Sequence, residues 1–144
     1  MTQLVEERGG ERRILAVFPP GNDRTLFERI LSESGWELEC VQTFEEACIA
    51  LRARPFRAVI SENRFPDGHC WKDILVELQA LITSPQLIVT DRLADEALWA
   101  EVLNLGGYDV LMKPFDSKEV VRTLDMASRF WLRAAHASSA HGGC

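Results

Sequence analysis

Short aliphatic runs alternate along this chain with stretches of helical periodicity, and that alternation restricts the fold to a parallel sheet covered by crossover helices on both faces. The runs are Ile14-Leu15-Ala16-Val17, Ala58-Val59-Ile60-Ser61, Leu87-Ile88-Val89-Thr90 and Val110-Leu111-Met112, with a more polar strand expected near 36–41. Between them Asn22 is placed to cap a helix carrying Leu26, Phe27, Ile30 and Leu31 that ends at Gly35. Thr43 with Glu46 forms a capping box for a second helix reaching about Ala53 and closed by Pro55. A third follows Gly68, with Trp71, Ile74, Leu75, Leu78 and Leu81 on one stripe. Asp95 caps a fourth whose Leu98, Val102 and Leu105 face inward before Gly106-Gly107 stops it. A fifth starts near Ser117 and continues through Val120, Val121, Leu124, Ala127, Phe130, Trp131 and Ala135, a span of roughly 28 Å at helical rise.

The chain has 144 residues, 47% of them hydrophobic, enough for one buried core. The expected organisation is a flexible leader over 1–11, one domain over 12–135 and a disordered tail over 136–144. No apolar run reaches the length of a membrane span and the N-terminus lacks the order of a secretion signal, so a cytoplasmic protein is expected. Cys40, Cys48, Cys70 and Cys144 are irregularly spaced, the pattern of reduced, packed thiols rather than of a disulfide framework or zinc site. His136, His141 and Cys144 lack a fourth ligand for a soft metal. A formal net charge of −6 argues against a nucleic-acid partner, despite a small basic patch at Arg8, Arg12 and Arg13 that reads as a solvated leader.

Three segments carry a more specific signal: Ile14-Leu15-Ala16-Val17, then Ala58 to Gly68, then Gly106-Gly107-Tyr108-Asp109-Val110-Leu111-Met112-Lys113-Pro114-Phe115, with Thr90 ending the fourth strand between them. In spacing and residue type, from about residue 12 to about residue 132, the chain resembles a response-regulator receiver domain. The resemblance implies a flavodoxin-like sandwich of five strands and five helices, strand order 2-1-3-4-5, with its site at the carboxyl ends of the strands. It further implies two acids after the first strand that hold Mg²⁺ together with an aspartate after the third, the aspartate that accepts the phosphoryl group. A hydroxyl residue at Thr90, a lysine at Lys113 and a cis bond before Pro114 complete the expected pocket.

The departures fall on the chemistry. Phe18 and Pro19 stand where the acidic pair belongs, and Glu62 stands at the phosphoacceptor position. Mg²⁺ prefers an octahedral oxygen shell, so binding through Glu62 alone should be weak or absent. Asp23 and Asp67 are the nearest acids that could substitute, although neither falls on a ligand position. Two uses of Glu62 stay open: an imitation of a modified aspartate, paired with Lys113 and accepting the Thr90 hydroxyl, or simple neutralisation of Lys113 in a degenerate pocket. Val110 occupies the position of the switch aromatic, and Tyr108 is expected on the opposite face.

Family members commonly bind partners through the fourth helix, fifth strand and fifth helix. Trp99, Phe130 and Trp131 are the candidate interface residues there, for a signalling protein such as a histidine kinase or downstream effector, or for a homodimer. The leading expectation is a non-enzymatic, phosphorylation-independent receiver-like interaction module in two-component or phosphorelay signalling. A weakly competent phosphoacceptor and a small-anion sensor are the alternatives.

Overall fold

The computed structural model describes residues 12–142, with side chains described through Ala135. The leader expected over 1–11, Arg8 included, lies outside the described residues, as do residues 143 and 144 and the side chains of His136 and His141.

Five strands form one parallel sheet: β1 (Arg13–Val17), β2 (Glu37–Val41), β3 (Ala58–Glu62), β4 (Gln86–Asp91) and β5 (Asp109–Met112), in the order β2-β1-β3-β4-β5. Five helices cross between or follow them: α1 (Asn22–Ser32), α2 (Phe44–Ala53), α3 (Trp71–Gln79), α4 (Glu96–Leu105) and α5 (Ser117–Gly142). This is the flavodoxin-like arrangement with strand order 2-1-3-4-5.

Side chains of opposite parity on the central strands build two separate cores, as the period of two in a strand requires. Ile14, Ala16, Ala58, Ile60, Ile88 and Leu111 pack with Phe27, Leu31, Leu124 and Ala127 under α1 and α5. Leu15, Val17, Val59, Leu87 and Val89 pack with Leu51, Trp71, Leu78 and Val102 under α2, α3 and α4. Val110 joins the second cluster, and Tyr108, just before β5, packs against the first.

Several helix ends differ in detail from the sequence expectation. Gly21, not Asn22, is the N-cap of α1, with Asn22 already helical and no side-chain cap bond made. Thr43 caps α2 by accepting from Glu46 N at 3.1 Å, while Glu46 reaches one residue further back to the amide of Gln42 at 2.7 Å. Asp95 accepts from Leu98 N at 2.9 Å, and Gly106 closes α4 in the left-handed conformation at φ 112° that glycine adopts without a Cβ penalty. Leu105, expected inward, is half exposed as the last residue of α4, and Leu81 lies past the end of α3. The backbone of α5 stays helical through Gly142 where a disordered tail was expected from 136. A helix already nucleated extends cheaply through the alanines at 134, 135, 137 and 140. Among the described residues no helix is long and apolar enough to cross a membrane.

Candidate functional site

Parallel strands bring their carboxyl ends to one edge, so residues far apart in sequence meet there. Glu62 is the last residue of β3, Thr90 and Asp91 end β4, and Lys113 follows β5. Glu62 and Thr90 are register partners across β3 and β4. The Lys113 amide donates to the carbonyl of Asp91 at 3.2 Å, and the Lys113–Pro114 peptide is cis.

The Lys113 ammonium is the centre of the site. Its Nζ lies 2.7 and 2.6 Å from the two carboxylate oxygens of Glu62 and 3.1 Å from Oδ2 of Asp23, in the first turn of α1. From the other side Arg92, just after β4, donates to both oxygens of Asp23 at 2.9 and 3.1 Å. The result is a chain of alternating charge, Arg92, Asp23, Lys113, Glu62, running from the surface inward. Lys113 is 8% exposed, so its charge depends on these carboxylates rather than on water. The Glu62 carboxyl is pushed above the usual carboxylate range. Burial is the main cause and outweighs the opposing Lys113 ammonium, while Asp23 and Asp91 push in the same direction as burial.

Beneath the ammonium the floor is apolar. Phe18 is fully buried, its ring 5.8 Å from Lys113 Nζ, and it packs against Phe27 and Phe115 at centroid separations of 5.5 and 5.9 Å. Pro19 next to it is partly buried and brings no polar side chain. Among the described residues no group of three or more His, Cys, Asp or Glu side chains is arranged to hold a metal ion. The donor set fits an ammonium better than Mg²⁺. Phe18 offers no oxygen, and the carboxylates of Glu62 and Asp23 both point at Lys113 Nζ, which fills the space between them.

Three comparisons bear on this geometry. No protein-family model matches the chain, and no curated protein sequence matches it either. Solved structures do. The signal receiver domain of an HD domain-containing protein from Pseudomonas fluorescens Pf-5 superposes with a TM-score of 0.76 at 22% identity, over 86% of this chain and 91% of that one. The receiver domain of a sensor histidine kinase from Pseudomonas aeruginosa PAO1, with a magnesium ion coordinated in its active-site cleft, gives 0.71 at 21% identity over 82% and 98%. The chemotaxis protein CheY4 of Vibrio cholerae gives 0.69 at 18% identity over 81% and 98%.

The fold is that of a response-regulator receiver domain.

Within the receiver fold, Glu62, Thr90, Lys113 and Pro114 converge on one edge with Phe18 and Pro19. The Thr90 hydroxyl, expected on the Glu62 carboxylate, instead donates to the carbonyl of Ser61 at 3.2 Å. Thr90 is fully buried and its hydroxyl bonds the backbone of the neighbouring strand, while the Glu62 head group is drawn away to Lys113. Asp67 stays out of the pocket: it is exposed in the loop after β3 and accepts from the amide of His69 at 2.9 Å. Asp23 does reach the pocket, but as a partner of Lys113 and Arg92.

Arg92 and Asp91 were not singled out in the sequence, nor was Asn63, whose amide donates to Asp91 Oδ2 at 3.1 Å. Their position was a usable signal, because polar residues directly after Thr90 and Glu62 must emerge at the carboxyl edge of the sheet. At the candidate interface, Trp99 and Phe130 are each half exposed; Trp99 borders a cleft with Tyr108, whose ring lies 5.7 Å from that of Phe130. Trp131 is a correction: it is buried, continuing the inward stripe Val120, Leu124, Ala127 at helical spacing, and lies against the Arg57 guanidinium.

Proposed function

We propose that this receiver-like module works in two-component or phosphorelay signalling by protein–protein interaction, without passing a phosphoryl group through Glu62. The observation that carries the reading is the Lys113 ammonium shared between both oxygens of Glu62 and one of Asp23. In a phosphoryl transfer the lysine stabilises charge on the transferred group, and the metal supplies the rest of the positive field. Here Lys113 is already neutralised. The buried Phe18 ring supports weak or absent Mg²⁺ binding, because an acid at this position would have to displace a packed aromatic cluster.

Of the two uses of Glu62, neutralisation of Lys113 has the better support. An imitation of the modified state would draw the Thr90 hydroxyl to the carboxylate, and it is turned to Ser61 instead. In this reading the module is a signalling domain, not an enzyme, and acts in the cytoplasm. Its partner is a histidine kinase or downstream effector, and the half-exposed Trp99 and Phe130 beside β5 support the α4, β5 and α5 face as a partner or homodimer surface.

Intact-mass spectrometry after incubation with acetyl phosphate and Mg²⁺ tests this. The wild type is expected to keep its mass, while the triple variant Phe18→Asp, Pro19→Asp, Glu62→Asp gains a phosphoryl group. A phosphoryl gain on the wild type would establish the weak phosphoacceptor instead. Lys113-dependent binding of acetyl phosphate without a covalent gain would favour the small-anion sensor.

A further inference from the structure

Between α1 and α5 lies a groove of about 710 Å³ that shares no residue with the Glu62 pocket and meets the Trp99 cleft at Arg122 and Met126. Its walls are Ile30 of α1 with Glu33 just past that helix and, on α5, Lys118, Val121, Arg122 and Arg129, with Met126 half exposed at the rim. The α5 residues recur at helical spacing over three turns, a stretch of about 17 Å.

Several surface cations sit on carboxylates: Arg24 on Glu28, Arg54 on Glu39, Lys72 on Glu101, Arg92 on Asp23. Among the described residues Lys118, Arg122 and Arg129 have no such partner. Asp125, between them on the same face, is already engaged by the Arg12 guanidinium at 3.2 Å and by the indole N–H of the buried Trp36 at 3.1 Å, so it does not neutralise them. In a chain of net charge −6, three adjacent free cations along an apolar floor make a local complement for negative charge.

We infer that this groove docks an acidic amphipathic helix of a partner protein, its apolar side chains on Ile30, Val121 and Met126 and its carboxylates on Lys118, Arg122 and Arg129. The length of the wall matches a helical segment of about three turns, and helix-in-groove recognition uses this combination of apolar anchors and flanking charge. A second copy of α5 would set these cations against one another. The apolar floor of Ile30, Val121 and Met126 supplies anchors that an amphipathic helix uses and a phosphate backbone does not. The inference rests on the module acting by binding proteins, and it names a surface and a partner chemistry for that binding.

Fluorescence anisotropy on the full chain tests it. The probe is a labelled helical peptide with leucines on one face and glutamates flanking them, compared with the same peptide carrying lysines for glutamates and with a labelled single-stranded oligonucleotide. Saturable binding of the acidic peptide is expected, weakened roughly tenfold or more in Arg122→Glu/Arg129→Glu and a few-fold in Met126→Ala. All three residues are exposed, and circular dichroism of the variants checks that the fold is kept. Absence of binding, binding indifferent to charge reversal, or preference for the oligonucleotide would overturn the assignment. The mass measurement at Glu62 reads a different property, so loss of the groove assignment leaves the phosphorylation result standing, and the reverse.

Discussion

Lys113 holds Glu62 by both oxygens, at 2.7 and 2.6 Å, in a site where neither side chain is more than 17% exposed. The two partners are not equivalent, because Lys113 has a second carboxylate in Asp23 and Glu62 has no second cation. Removing one or the other therefore leaves different debts of uncompensated charge.

Lys113→Met is expected to cost the most, about 3 kcal/mol, since it strands Glu62 beside Asp23 and Asp91 with no cation of its own. Glu62→Gln leaves Lys113 on Asp23 and should cost nearer ~1 kcal/mol. Urea unfolding of the two variants gives the order. Equal losses would mean that the pair is not held as described.

The pH dependence follows from the same carboxyl. Burial raises the pKa of Glu62 in the folded protein above its unfolded value, so between the two values the native state binds more protons than the unfolded one. The stability it contributes is present at lower pH and is lost as pH rises through the folded pKa. The wild type should therefore lose stability relative to Glu62→Gln as pH climbs from the ordinary carboxylate range toward neutrality. Parallel stability profiles for the two proteins would count against the shift.

Gly107 is required by contact rather than by conformation. A Cβ there would lie 2.5 Å from Cγ1 of Val102 and 3.1 Å from its carbonyl oxygen. Gly107→Ala is expected to destabilise by about 1–3 kcal/mol. Because part of the clash is with one methyl group, Val102→Ala should relieve some of it, and a double-mutant cycle should show favourable coupling of at least ~0.5 kcal/mol. Strict additivity would place the strain elsewhere.

Cys40 is a half-buried thiol whose pKa is raised to about 11, by burial first and then by the nearby Glu28 carboxylate. Since the thiolate is the reactive species, iodoacetamide should modify Cys40 about a hundredfold more slowly than free glutathione at mildly alkaline pH. Peptide mapping over time measures this, and rapid labelling would show that β2, the edge strand carrying Cys40, opens readily.

The core of the fold was legible because its signals are local and periodic. Ile14 to Val17 and Leu87 to Val89 read as strands buried on both faces, and Trp71, Ile74, Leu75 and Leu78 read as one helical stripe. Each of these sets is buried in the structure. The reading failed where a decision depended on neighbours from elsewhere in the chain. Leu105 fits the inward stripe of its helix but is half exposed at the helix end. Trp131 has the residue type of an interface anchor and is buried, with the Arg57 guanidinium over its ring.

The site divides in the same way. By itself the sequence determined which residue types reach the carboxyl edge, with Glu62, Lys113, Phe18 and Pro19 at their places, because strand length and alternation set those positions. It thereby placed Phe18 and Pro19, which carry no carboxylate, directly after the first strand. Tertiary structure alone decided how the remaining charges pair: Asp23 arrives from the first turn of α1 to share Lys113, Arg92 crosses from the end of β4 to hold Asp23, and Thr90 turns to Ser61. A charge inside a fold takes whatever partner the packing brings within about 3 Å, and that distance is set by four crossovers together rather than by any one stretch of the chain.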